Sequence, residues 1–296
     1  MIEKNTPSRI IFNIFNYGFM ALFAVACIAP IWHVLMASVS NPRLLMGTSG
    51  ILWKPLGDIT WKGYEIVFQN KSILVGYANT LFYVAWHAVM GTLCTLIAGY
   101  LVSRKNFKLA TPLMLFILFT MMFNGGLIPG YMVIRSLGML NTRWVMLIPG
   151  LMNAFYITMM KSAFEQLSSS YEESAKLDGA GPLTILFRIL VPLVKANIAV
   201  IVMFTIVMQW NSWYPASIYL PAERGLWPLQ LIMREILIQN DSSKVLMGSD
   251  AMSKADFTNN LVKYCVTVVG TLPILCVYPF AQKYFVTGAT LGGVKG

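Results

Sequence analysis

Charge is what this sequence has least of. Aspartate, glutamate, lysine and arginine together make up 11% of its 296 residues, against 57% apolar or aromatic ones, and mean hydropathy is +0.64. A soluble domain carries roughly 25% charged residues to wet its surface. The deficit therefore excludes a soluble enzyme, a disordered tail and a DNA-binding domain. Cysteine is sparse as well: Cys27, Cys94, Cys265 and Cys276 stand singly in apolar stretches, with no C-x-x-C pair and no histidine at ligand spacing. That pattern argues against a disulfide framework or a zinc site and reads as buried free thiols. His33 and His87 lie in separate apolar runs. Each reads as a satisfied buried histidine rather than as a proton relay. The phosphate-cradling pattern G-x-x-x-x-G-K-[ST] is missing, as are H-E-x-x-H and G-x-S-x-G. The chain thus has no means of its own to hold ATP, nor the two common hydrolytic motifs.

What is present is long apolar segments. A bilayer span needs about 20 predominantly apolar residues, and six stretches qualify: 11–37, 77–102, 111–132, 144–160, 196–213 and 262–284. The first is far longer than the roughly 7–15 apolar residues of a secretory signal and is read as a retained span. None of the six holds an aspartate or glutamate, and Lys263, near one end of the last, is placed to snorkel. Ion-coupled carriers mark their paths with ionisable groups at membrane depth, so a proton- or sodium-coupled carrier is disfavoured. If a solute moves uphill here, another subunit supplies the energy.

Orientation follows from lysine and arginine. The turn Ser103-Arg104-Lys105-Asn106-Phe107-Lys108 carries three positive charges and no acid, which places it in the cytoplasm together with both termini. Inner segments then hold eleven basic and five acidic residues and outer segments ten and seven, and Lys263 within the last span completes the net charge of +10. The two long outer stretches, 38–76 and 214–261, carry the Pro, Gly, Trp and Asp of surface loops.

The inner loop at about 163–195 is the most patterned part of the chain. Ser169 or Ser170 is positioned to cap a short helix, with Glu172 or Glu173 three residues on to close a capping box. Gly179 ends that helix in a left-handed C-cap, and Pro182 starts a second one with Leu183, Leu186, Phe187 and Leu190 on one stripe, ending at Pro192. Periodicity alone allows three uses: a helix pair on the membrane surface, packing against the chain's own bundle, or a knob for the groove of a soluble partner.

Glu173-Ser174-Ala175, Gly179, Ile189 and Pro192 reproduce the spacing E-A-A-x3-G-x9-I-x-L-P. This resembles the EAA loop of permease subunits in binding-protein-dependent ABC importers. Asp178-Gly179-Ala180 is similar to the carbohydrate-uptake branch that contains MalG-type subunits. Ser174 stands for the second alanine and Val191 for the leucine, both small or apolar exchanges. Gln209-Trp210-Asn211 and the ending Gln282-Lys283-Tyr284-Phe285-Val286 with Gly288, Gly292, Gly293, Val294, Lys295 and Gly296 resemble signatures of the same branch.

The resemblance implies an all-α, polytopic membrane protein: one permease domain over residues 1–296, six transmembrane helices, the type I ABC importer permease fold and a cytoplasmic EAA coupling loop. It implies a bacterial cytoplasmic (inner) membrane location and a function in ATP-driven import of sugars, oligosaccharides above all. Expected partners are a second permease, two ATPase subunits and an extracellular solute-binding protein. ATP and magnesium belong to the ATPase, and this chain binds no cofactor or metal and catalyses no reaction. Glu172, Glu173, Ser174, Ala175, Asp178, Gly179, Ala180, Ile189 and Pro192 are the implied ATPase-coupling residues, and Lys295-Gly296 is a further implied contact. Asn211, Trp213 and Tyr214 combine an amide with aromatic faces suited to sugar hydroxyl and C–H surfaces, and form the candidate substrate path; interfacial anchoring is the alternative for each. The same fold importing a non-sugar solute, and a free-standing carrier, stay open on the residues alone.

Overall fold

The computed structural model describes residues 7–246 and 254–293. Among the described residues every regular element is helical. Three helices are long and apolar enough to cross a membrane: α1 (Pro7–Ser38), a helix that we number α4 (Lys71–Ser103), and the stretch Thr258–Val277 of the last helix. Two bent helix pairs bring the number to as many as five.

The first and second expected spans, 11–37 and 77–102, fall within α1 and α4, and the last, 262–284, within Lys254–Gly293. The third and fourth differ. Residues 111–132 are not one helix but α5 (Ala110–Met122) and α6 (Leu127–Ser136), which meet at 119°. The break is local chemistry: Asn124 Oδ1 accepts from the Gly126 amide at 2.9 Å and turns the backbone out of the helix. Residues 144–160 contain the single turn α7 (Trp144–Leu147) and then α8 (Ala154–Glu165). Pro149 interrupts the run, and Asn153 restarts it as a helix cap, accepting from Phe155 N at 2.9 Å and Tyr156 N at 3.4 Å. Hydropathy sums over such breaks because they cost only a few polar atoms. The fifth stretch, 196–213, is largely one helix, α11 (Lys195–Trp210), preceded in the 163–195 loop by α9 (Ser170–Leu177) and by α10 (Pro182–Leu193), which meets α11 at 86°. The long outer stretches are not plain loops either. Residues 38–76 contain α2 (Pro42–Met46) and α3 (Lys62–Gln69), and 214–261 contain α12 (Tyr214–Tyr219) and α13 (Leu229–Leu246) before α14 (Lys254–Gly293) begins.

The chain divides into two compact units. In Met1–Lys71 with Met233–Thr271, α1 is apolar all round and its first three-quarters are exposed, as expected of a helix facing lipid or another subunit. Its C-terminal end is clamped by the chain that follows. His33 Nδ1 accepts from Leu52 N at 3.1 Å, Ser40 Oγ accepts from Leu56 N at 3.0 Å, and Ser38 Oγ meets Tyr64 Oη at 2.7 Å. His33 is thus a satisfied structural histidine. Of the four cysteines, Cys265 is buried and Cys94 half-buried, while Cys27 and Cys276 are exposed on helix faces, so the expectation of buried thiols is corrected for those two. Apolar surroundings need not be protein atoms when the outer face of a helix meets lipid.

The second unit, Ser72–Ile232 with Leu272–Gly296, holds α4 to α12. Here α8 lies against the C-terminal half of α4 at very short range. A Cβ on Gly99 would stand 2.7 Å from Met160 Cβ, and Met160 is fully buried. Small residues permit this approach where lipid gives no hydrophobic drive between helices. Two apolar clusters form. One joins Leu96, Tyr100, Met160 and Phe164 to Ala175, Ile185, Leu186 and Leu190, and the other joins Tyr83, Ile134 and Met146 to Ala216, Leu220 and Leu231.

Candidate functional site

The 163–195 loop is built onto the bundle by alternate residues of α9. Glu172 points inward and is buried, where its Oε1 lies 2.6 Å from Arg104 Nη1 and its Oε2 3.9 Å from Lys176 Nζ. Arg104 is itself fixed: it donates from Nε and Nη2 to Ser103 Oγ at 3.0 Å, and its guanidinium sits 4.8 Å from the Tyr100 ring centroid. Ala175 is buried one turn on. Both are in the cluster's reach, and the helix is thereby fastened to the end of α4. The ion pair also places the basic turn 103–108 and the 163–195 loop at the same end of this unit.

The opposite face of α9 is open. Tyr171, Glu173, Ser174, Leu177 and Asp178 are exposed, with Leu177 at 89%. Gly179 takes φ +77°, and the amides of Gly179 and Ala180 donate to the carbonyls of Lys176 at 3.0 Å and Ala175 at 2.9 Å. This is the Schellman ending expected of a left-handed glycine. The N-terminal expectation is corrected: Ser169 has helical backbone angles and makes no side-chain cap bond. Ser168 Oγ instead accepts from Ser170 N at 3.3 Å. With Glu172 drawn inward by Arg104, the reciprocal half of a capping box is committed elsewhere.

In α10 the apolar stripe is also redrawn. Ile185, Leu186 and Leu190 are buried, Ile189 packs beside them, and Leu183 and Phe187 are exposed. Residues Ile185–Leu190 form a wider π-helical stretch, so positions five apart share a face. Pro192 does not end this helix, which continues to Leu193. The coupling candidates thus sort by direction. Glu172, Ala175, Ala180 and Ile189 anchor the loop, and Glu173, Ser174, Asp178, Gly179 and Pro192 are exposed.

The substrate-path candidates come together at the junction of α11 and α12. Asn211 follows the last turn of α11 and donates from Nδ2 to Val207 O at 2.8 Å. Trp213 packs against the second apolar cluster, while Tyr214 is exposed and edge-on to Trp213, with centroids 5.5 Å apart. Two sites escaped the reading of the sequence. One is a cavity of about 40 Å³ lined by His87, Thr95, Asn153, Tyr156, Thr205 and Gln209, beside the π-helical turn His87–Gly91 within α4. His87 is 2% exposed and its Nδ1 bonds Tyr83 O at 2.9 Å, in keeping with a buried histidine. Polar residues recurring at 87, 92 and 95 of an apolar run were the available signal.

The other lies at the far end of α4. Buried Asn79 donates from Nδ2 to Gly225 O at 2.8 Å and Trp227 O at 3.1 Å, while its Oδ1 accepts from Arg143 Nη2 at 3.1 Å. Tyr83 Oη donates to Leu226 O at 2.9 Å and Leu229 N donates to Thr80 Oγ1 at 2.8 Å, so one face of α4 pins the turn 224–229. The tail residues Gln282–Val286 continue α14, and Val294, Lys295 and Gly296 lie outside the described residues.

Comparison with known proteins accords with this arrangement. Residues 91–288 match the family described as binding-protein-dependent transport system inner membrane component. The chain is 35% identical over 291 residues to the polygalacturonan/rhamnogalacturonan transport system permease protein YtcP of Bacillus subtilis (strain 168), covering 97% of this chain and 99% of that protein. It is 28% identical to the galactooligosaccharides transport system permease protein GanQ of the same organism over 100% of both chains. Among solved structures, a bacterial ABC transporter involved in the import of the acidic polysaccharide alginate matches with a TM-score of 0.85 and 30% identity, over 96% of this chain and 99% of that one.

Proposed function

The chain belongs to the binding-protein-dependent transport system inner membrane components, and from that premise we propose that it forms one half of the pathway of an ATP-driven oligosaccharide importer. The cargo class follows the names of its relatives, which carry galactooligosaccharides and polygalacturonan, and of the alginate importer that shares its fold. In this reading six segments cross the bacterial cytoplasmic membrane with both termini inside. The broken segment 144–165, the turn α7 followed by α8, makes the fourth crossing, and the two bent pairs supply the third and fifth. A second permease completes the pathway, two ATPase subunits hold ATP and magnesium, and an extracellular binding protein delivers sugar.

One observation carries the coupling role. The helix α9 is fastened by a buried Glu172–Arg104 pair on one side and presents exposed Tyr171, Glu173 and Leu177 on the other. A helix fixed rigidly to the bundle transmits a push, and an exposed mixed apolar and acidic face fits a cleft in a soluble subunit. Closing of the ATPase dimer moves α9. The Gly179 turn and α10, which packs against α4 and α8 through Ile185, Leu186 and Leu190, pass that displacement to the membrane helices. Asn211, Trp213 and Tyr214 face the sugar path in this scheme.

Affinity capture of the tagged chain from mild detergent, read by mass spectrometry, tests the assembly. A second permease and an ATPase are recovered with the wild type, and the ATPase is lost from Glu173→Lys while membrane insertion is unchanged. A lone chain that transports sugar in vesicles overturns the proposal.

A further inference from the structure

Arg143 is held in an unusual way for a cation. It is exposed, yet its guanidinium is fixed by one hydrogen bond to Asn79 Oδ1 at 3.1 Å and by the Phe82 ring, 5.2 Å from its centroid. Both supports are uncharged. Asn79 cannot swing away, because it is 5% exposed and both its amide hydrogens are spent on Gly225 O and Trp227 O. An arginine has five N–H donors, so one bond to Asn79 leaves a fork of donors and the full positive charge in place. By contrast, Arg104 at the other end of α4 is closed by a carboxylate. Asn79 and Arg104 are 25 residues apart along one helix, about 37 Å at 1.5 Å per residue, enough to cross the hydrocarbon core. With the coupling loop inside, Arg143 stands at the outer mouth. Beside it the turn 224–227, which Asn79 tethers, places Arg224 4.8 Å from the Trp227 ring centroid. Arg224 is thus a second cation on the same turn.

We propose that Arg143, braced by Asn79 and Phe82, is an outer-mouth subsite for the carboxylate of a uronic-acid-bearing oligosaccharide. A pre-oriented guanidinium fork matches a planar carboxylate in bidentate fashion, and holding it by neutral groups preserves its charge for the solute. This deepens the importer reading and rests on it, since it needs the Arg143 end to face outward and the solute to be a saccharide.

The test is ATP-driven uptake by the complete importer, with its ATPases, second permease and binding protein, in vesicles of phosphatidylcholine with or without phosphatidylglycerol. The probes are trigalacturonate and its methyl ester. Wild type takes up the acid in preference to the ester. Arg143→Gln raises KM for the acid by about tenfold or more, as loss of a charge-assisted bond predicts, and leaves the ester unchanged; Arg143→Lys recovers part of the difference. Equal loss for acid and ester assigns Arg143 a structural role and overturns the subsite. So does a change that follows phosphatidylglycerol content for both probes, which would assign the guanidinium to lipid phosphate. Wild-type preference for the ester overturns the uronate class but leaves the importer standing. No ATP-driven uptake of either probe, or of neutral oligosaccharides, overturns both readings.

Discussion

Two arginines are held against aromatic rings of α4, one towards each end of that helix, and they are held differently. At one end Arg104 lies over Tyr100 and is neutralised by Glu172. At the other Arg143 lies over Phe82 and is oriented by an amide. A buried pair of opposite charges fixes architecture, because each charge makes the other indispensable. A cation steadied by neutral groups keeps its field available to something else. The same residue type thus serves as a bolt beside the 163–195 loop and, in the proposed reading, as an open contact for solute at the other end.

The largest effect should come from breaking the bolt. Glu172→Lys sets two cations against each other in a buried position and is expected to cost about 3–5 kcal/mol. It should appear as a large fall in the melting temperature of the detergent-purified protein and loss of the ATPase from the complex. The exchange Arg104→Glu with Glu172→Arg should recover much of that loss; if the double variant is no better than the single one, the pair does not anchor the loop. At the other end Asn79→Ala removes the partner of two backbone carbonyls and of Arg143, an expected loss of about 2 kcal/mol. Thermal unfolding of the detergent-purified protein would register it as a lower melting temperature. The smallest change sharpens the contrast. Ser169→Ala should alter stability by less than about 0.5 kcal/mol, because Ser169 makes no cap bond. A loss near the roughly 1 kcal/mol of a true N-cap would show that the capping box forms after all.

Much of this protein is legible in its sequence, for reasons that differ by region. The apolar excess requires a bilayer whatever the tertiary arrangement. Gly179 is readable because the left-handed backbone at a helix end is a local demand that few other residues meet, and the structure has it at φ +77°. The broken helices were not. Asn124 and Asn153 each redirect the chain with one side-chain oxygen. Their cost to a hydropathy window is negligible, so 111–132 and 144–160 look continuous. Likewise the π-helical stretch Ile185–Leu190 shifts the apolar face by changing the period on which the stripe was counted.

What the sequence determined by itself is chemical and local: a membrane protein with little charge, an intact turn at Gly179, an EAA-like spacing and a basic turn at 103–108. Tertiary structure decided direction and partnership. Adjacent Glu172 and Glu173 are indistinguishable in a capping pattern, yet successive residues on a helix point about 100° apart. Only the position of Arg104, 68 residues earlier in the chain, determines that Glu172 turns inward and Glu173 outward. Asn79 and Arg143 are 64 residues apart and carry no motif. Their meeting is a product of helix packing alone, since a hydrogen bond between distant residues exists only once the fold has brought them within 3.1 Å.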